Sequence, residues 1–336
     1  MKIVPIMMLV LLAGAIFFAG CIEQKKEELL TLKVAYIPIT SFGPIFIAKD
    51  EGYFAEQGIK IELLKFQSAQ QAIPSLIQGD VDVSSTTINP ALFNAIAKGA
   101  NIKIVADKGS TGGQCDFNAL AVRKDLYDNG SLTTIEQLKG KKIAVATRPN
   151  YLLIKALDKA NLTSKDVESV DMGFPEIVAA FENNAIDAAV MTEPYLYQVL
   201  KMEKAEILLL SGEIIPNFSG YPIAFGPNLL EKNPELGKKF MIAYLKGVKQ
   251  HNEGKIPRNM EILKNYTQFG TEILEGSCWG AIRRDGYIEK EPIMQYQDWL
   301  FENKYIDVKV SDDQILDMSF VEDANHVLKP DNGSII

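Results

Sequence analysis

Apolar and polar positions divide this chain into three stretches. Ile3 to Phe18 is an almost unbroken apolar run, preceded by a single cation, Lys2. Glu23-Gln24-Lys25-Lys26-Glu27-Glu28 carries both signs of charge and no apolar periodicity, so it reads as a solvated tether. Fully extended, residues 21–30 reach about 30 Å. From about Thr31, short apolar runs alternate with segments of helical spacing. Leu32 to Ile37 reads as a strand, followed by a polar loop, Thr40-Ser41-Phe42-Gly43. A helix is predicted from Pro44, where proline suits a first turn, to about Lys49, with Gly52 as its left-handed stop.

The same order recurs further on. Lys142 to Ala146 reads as a strand, Thr147-Arg148 as a polar loop, and Pro149 opens a helix through Tyr151, Ile154 and Leu157 that Asn161 closes. Ala72-Ile73 and Leu76-Ile77 have helical spacing ended by Gly79, after which Asp80-Val81-Asp82-Val83 starts a strand leading to Thr86-Thr87-Ile88-Asn89-Pro90. Ile177-Val178 and Phe181 repeat that spacing up to Asn184. Ala185-Ile186-Asp187-Ala188 then starts a strand leading to Thr192-Glu193-Pro194. Asp82 and Asp187 correspond at a separation of roughly 105 positions, too long for a solenoid repeat. The pattern predicts two similar α/β lobes with mostly parallel sheets. Helix-to-strand joints use Gly or Asn often enough that chance likeness is the plain alternative.

In sheets of this kind ligands bind beyond the carboxyl ends of the strands. Five loops qualify: Thr40 to Gly43, Gln67-Ser68 after the strand Ile59 to Phe66, Ser85 to Asn89, Thr147 to Asn150, and Met191 to Pro194. All five are richer in Ser, Thr, Asn and Gln than the runs beside them. Facing each other, they would make a cleft for a small ligand.

The first stretch changes the setting. One cation, an apolar run and small residues are the order of a secretory leader. Phe18-Ala19-Gly20-Cys21 resembles the lipobox of surface lipoproteins, in which the leader is cut and the new N-terminal Cys carries lipid. Phe18 departs from the usual Leu. The alternative is an uncleaved anchor, since the run is nearly long enough to span a bilayer; either way the chain is exported. Composition is globular, with 47% hydrophobic and 23% charged residues. The net charge of −8, or −9 without Lys2, argues against nucleic acid. Beyond Cys21 there are two cysteines, Cys115 and Cys278, which could pair or stay as buried thiols. Asn129, Asn161, Asn217, Asn265 and Asn332 are sequons, acceptors only in a glycosylating host.

The run Ile47 to Ile61 (IAKDEGYFAEQGIKI) resembles the start of the sulfonate, taurine and nitrate solute-binding proteins of ABC importers, a pattern the thiamine-pyrimidine and riboflavin precursor binders share. Ile73 to Val83, Leu92 to Val105, Leu138 to Val145 and Asn184 to Pro194 fit the same pattern in the same order. The resemblance implies a two-lobed type II periplasmic-binding fold whose lobes close on ligand. It divides the chain into a leader, 1–20, a lipid-anchored stalk, 21–30, and three folded parts. Residues 31–118 begin lobe one, 119–222 form lobe two, and 223–336 complete lobe one with C-terminal helices. The crossings then fall near Gly113 to Ala119 and Ser219 to Phe225, and the Gly-rich Gly109 to Gln114 suits the first. It further implies an ABC permease and its ATPase as partners, a monomer, and no cofactor.

Two charges bear on the ligand. Arg148 sits where a strand gives way to a helix, where amides already favour an anion and guanidinium adds a planar fork. Glu193, in the matching loop, would suit an amino group. A solvated arginine and a helix-start carboxylate are the plainer roles. Together the two favour an aminosulfonate. An aminopyrimidine would use Glu193 and stack on Phe42, Tyr151 or Tyr221, although such aromatics are more often core. The candidate site is therefore Ser41, Phe42, Gln67, Ser68, Thr86, Thr87, Asn89, Arg148, Asn150, Tyr151, Thr192, Glu193 and Tyr221.

Enzymatic readings have little to stand on. Neither His251 nor His326 lies in a candidate loop, and no H-E-x-x-H, C-x-x-C, P-loop or dinucleotide fingerprint occurs. Gly109-Ser110-Thr111-Gly112-Gly113 lacks nucleophile-elbow spacing. The thiamine-pyrimidine synthases look similar but carry a cysteine-rich cluster, and here Gln114-Cys115-Asp116-Phe117 offers one Cys. An exported sensor domain is disfavoured by the absence of a second apolar span before Ile336.

Overall fold

The computed structural model describes residues 28–328 apart from 67, 87, 113, 114 and 281. The leader, Cys21, Gln67 and Thr87 lie outside the described residues. Ten strands occur in chain order: β1 (Leu30–Tyr36), β2 (Ile59–Lys65), β3 (Val83–Ser85), β4 (Lys103–Ala106), β5 (Asn118–Arg123), β6 (Lys142–Val145), β7 (Glu168–Asp171), β8 (Ala188–Thr192), β9 (Ala205–Leu210) and β10 (Ile223–Phe225). They form two sheets, ordered β2-β1-β3-β10-β4 and β7-β6-β8-β5-β9.

The two orders superpose, β1 on β6, β2 on β7 and β3 on β8, which is the internal likeness seen along the chain. The two aspartates show why it is more than composition. Asp82 Oδ2 accepts the Lys33 N–H at 2.7 Å, and Asp187 Oδ2 accepts the Lys142 N–H at 2.9 Å. Each thereby satisfies a backbone donor of the neighbouring strand, in the middle of β1 and at the start of β6. The same role shifts an element boundary. β3 and β8 begin at Val83 and Ala188, three residues later than the apolar pattern predicts, because each aspartate is engaged in this anchoring turn. Gly52, Gly79, Asn161 and Asn184 all take the left-handed conformation expected of helix ends.

The sheets are mixed: β10 runs antiparallel to β3 and β4, and β5 runs antiparallel to β8 and β9. These are the strands that the chain enters on arriving from the other sheet. The chain leaves β4 at its carboxyl end, and a strand begun on that side must run the opposite way. The connecting stretches, 107–117 and 215–222, pair with each other. Thr111 donates its N–H to the Phe218 carbonyl at 3.1 Å and accepts at its own carbonyl from Asn217 at 3.0 Å. Cys115 and Cys278 form a disulfide, with Cα atoms 5.9 Å apart, tying the first connection to the C-terminal part.

Helices cover both faces of each sheet. On one face of the first sheet Phe46 from helix Gly43–Asp50 and Phe240 and Tyr244 from helix Pro234–His251 pack with Phe42 and with Phe225 of β10, and the other face carries Leu76, Phe93 and Tyr296. Fully burying a side chain of this kind contributes about 1.5–3 kcal/mol. Gly43–Asp50 matters most to function, because it begins at the Thr40 to Gly43 loop. It is held there by backbone contact with the long helix: a Cβ placed on Gly247 would lie 2.2 Å from the Pro44 carbonyl oxygen. Gly247→Ala gains helix propensity but must push the two helices apart. We expect a net loss of about 1–3 kcal/mol, read as a lower denaturant midpoint with an unchanged slope; an unaltered midpoint would disprove this contact as a constraint.

Candidate functional site

The strand ends of the two sheets meet around a cavity. Its wall takes Ile37 from the end of β1, Ser85 from β3, Lys108 after β4, Thr147 after β6, Phe174 after β7 and Thr192 at the end of β8. Asn118 and Tyr221 join them from the starts of the two antiparallel strands. A second cavity shares Gly109, Phe117, Asn118, Thr147 and Tyr221 with the first, so the two are compartments of one cleft.

The candidate residues separate into three groups. Ser41, Phe42, Ser68, Thr192 and Tyr221 line the first cavity. Asn150, Tyr151 and, again, Tyr221 line the second. Of the other described candidates, Thr86, Asn89, Arg148 and Glu193, none reaches either wall. Thr86 is fully buried, with a hydroxyl that finds no partner among the described residues. Asn89 accepts the Leu92 N–H at 3.0 Å and Asn150 the Leu153 N–H at 2.9 Å, so both are helix caps by side chain. Arg148 is half exposed, with Nε 2.9 Å from Asp171 Oδ2 and Nη1 donating to the Ser169 carbonyl. It lines an open surface depression with Asn89 and Asn150.

Glu193 is buried and turned away from both cavities. Its two oxygens accept the N–H groups of Tyr197 at 3.1 Å and Cys278 at 3.0 Å. Burial pushes its carboxyl up to about 7, against the lowering effect of those donors and of Lys255. Tyr151 lies face to face with Tyr296 at 3.9 Å between ring centroids, and edge-on to Phe218 at 5.4 Å.

Lys108 is the residue that sequence reasoning missed. It is 2% exposed, donates to Ser41 Oγ at 2.7 Å and sits 4.5 Å above the Phe42 ring centre. Among the described residues it is the charged side chain in the walls of these two cavities. Asp107 is the one carboxylate whose charge acts on it, and burial outweighs that, bringing the ammonium down to about 7. The Asp107 oxygens are themselves occupied, by the Ser110 and Ser219 hydroxyls and the Arg283 N–H. A signal existed: Asp107-Lys108 directly follows the apolar run Ile104-Val105-Ala106, at a strand end like the other five loops. Chemically, the cleft offers hydroxyls, the Asn118 amide and one cation between apolar walls. No group of three or more His, Cys, Asp or Glu among the described residues could hold a metal.

The cleft and the paired crossings place this chain among two-lobed binding folds, and comparison with known proteins gives the family. A family model described as NMT1/THI5 like matches residues 39–253, and the chain belongs to that family. A Bacillus subtilis (strain 168) protein whose provisional name is aliphatic sulfonates-binding protein is 26% identical over 94% of this chain and 96% of its own. The taurine-binding periplasmic protein of Escherichia coli (strain K12) is 28% identical over 64% of each chain. Among solved structures, the periplasmic nitrate-binding protein NrtA from Synechocystis PCC 6803 covers 90% of both chains at a TM-score of 0.74 and 16% identity. The desulfurization enzyme DSZB shares the fold over 89% of this chain, at a TM-score of 0.62 and 14% identity. The relatives by sequence are binding proteins, which favours binding over catalysis here.

Glu193 provides a test of the geometry. Its folded carboxyl holds a proton to about pH 7, whereas the unfolded chain releases it near the ordinary 4.5. Its contribution to stability is therefore full below that value and is lost as pH rises towards 7. Glu193→Gln keeps the side chain neutral throughout. Relative to the parent, the variant should gain roughly 3 kcal/mol between pH 4.5 and 7.5 in denaturant unfolding; a constant difference across that range would refute the buried placement.

Proposed function

We propose that this chain is the extracytoplasmic solute-binding protein of an ABC importer. It captures a small organic anion of sulfonate type in the cleft and delivers it to the permease. Residues 31–118 with 223–336 would form one lobe and 119–222 the other, hinging at the paired crossings. The leader and Cys21 would export the chain and tether it to the membrane by lipid.

One observation carries the ligand class: a buried lysine in the cleft wall whose nearest carboxylate is already engaged. A buried cation without a partner is costly, and an anionic ligand would supply the missing charge. Ser41, Ser85, Thr147, Thr192 and Asn118 could complete the hydrogen bonds around its oxygens. Ile37, Ile39, Phe42, Phe117 and Phe174 would cover an apolar body. With Glu193 turned towards Cys278, an amino group on the ligand finds no carboxylate in either wall, so an aliphatic sulfonate fits better than an aminosulfonate. The relatives named for sulfonates and taurine support the class.

The test is thermal unfolding of the full-length protein in mild detergent with alkanesulfonates, taurine, nitrate, a pyrimidine and a flavin. A ligand at a hundredfold excess over its Kd adds about 2.7 kcal/mol, raising Tm by roughly 5 °C. Butanesulfonate should do so, Lys108→Met should weaken it by at least about tenfold, and Arg148→Ala should change it by less than about twofold. Stabilisation by the pyrimidine or flavin alone would sink the anion reading, and so would loss of binding in the Arg148 variant with retention in the Lys108 variant.

A further inference from the structure

An ammonium has three donors, and Lys108 uses one of them on Ser41 Oγ at 2.7 Å. The remaining two belong to a group that is 2% exposed and lines the cavity. Holding a full charge there, where burial outweighs the Asp107 charge, is unfavourable, and so is bringing a bare anion into the same apolar surroundings. Each event removes the penalty of the other.

Resting on the anion reading above, we propose that the cleft takes up a proton together with its ligand, and that Lys108 is the group that receives it, an ammonium in the loaded cleft.

The charged and titratable groups around Lys108 leave this exchange to it alone. Asp107 is filled by Ser110, Ser219 and the Arg283 N–H. His251, on the helix packed behind Gly43, is lowered by burial to about 4 and stays neutral. The phenols of Tyr221 and Tyr244 are raised by burial and stay protonated. Burial sets the Lys108 ammonium near 7 in the empty cleft. A sulfonate keeps its charge at all these values, so the proton is acquired by the protein. Apparent affinity should then be flat below pH 7 and fall by about tenfold per pH unit above it. Glu193 is the other group brought to about 7, but its oxygens are held by Tyr197 and Cys278, outside the cavity.

The experiment is calorimetric titration of the full-length protein in detergent with butanesulfonate, from pH 6 to 9. The buffers are imidazole and Tris, since sulfonate-containing buffers would compete. Near pH 8 the heats in the two buffers should differ by their protonation enthalpies multiplied by close to one proton per anion bound. Lys108→Arg, a cation that does not titrate here, should bind with no pH dependence. Glu193→Gln should keep the parent's dependence. Equal heats and a constant Kd across the range would overturn proton uptake while leaving an anion-binding protein. Disappearance of the uptake in Glu193→Gln would assign the proton to that carboxylate and overturn the proposal. Absence of butanesulfonate binding even at pH 6 would overturn both this inference and the reading on which it rests.

Discussion

The carboxylate of Asp107 is the constraint around which the two sheets are arranged. It lies where the chain leaves the first sheet, is fully buried, and accepts from Ser110 on the first crossing, Ser219 on the second and the backbone of Arg283 in the C-terminal part. Its own carbonyl accepts the Tyr244 hydroxyl at 2.6 Å. A buried carboxylate is tolerable only when its lone pairs are satisfied. Satisfying them draws two distant segments, at Ser219 and Arg283, to one point. Asp107 thereby fixes the place of the next residue, Lys108, at the floor of the cleft, while its oxygens are too occupied to neutralise it fully.

Away from that point the lobes touch on two further sides. Tyr151 stacks on Tyr296, and Tyr195 meets Phe269 edge-on at 5.0 Å. Such aromatic pairs contribute about 0.5–1.5 kcal/mol beyond the area they bury. Glu193 and the Cys115–Cys278 bridge add a polar and a covalent tie beside them. Of these ties the Cys115–Cys278 bridge is covalent, joining the first crossing to the C-terminal part, whereas the others are non-covalent contacts.

Charge was the least legible property. Arg148 and Glu193 stand in strand-end loops, as the pattern of the chain requires, yet their side chains serve Asp171 and Cys278. Loop position follows from the alternation of apolar runs, whereas side-chain direction depends on which partner comes within reach, and those partners are 23 and 85 residues further along the chain. Lys108 shows the converse. Its place after Ile104-Val105-Ala106 marks a strand end, but its burial does not show there, because the groups that cover it, Phe42 and Ser41, lie 66 and 67 residues before it.

By itself the sequence determined two similar α/β halves, the helix ends at Gly79, Asn161 and Asn184, and the correspondence of Asp82 with Asp187. These depend on local periodicity and backbone conformation, which neighbouring residues decide. Only the tertiary structure decided that Cys115 joins Cys278, that β5 and β10 run antiparallel, and that Lys108 is the cation facing the cleft. Those outcomes depend on contacts between distant segments and on burial, and burial is what turns an ordinary lysine into a charge in need of a partner.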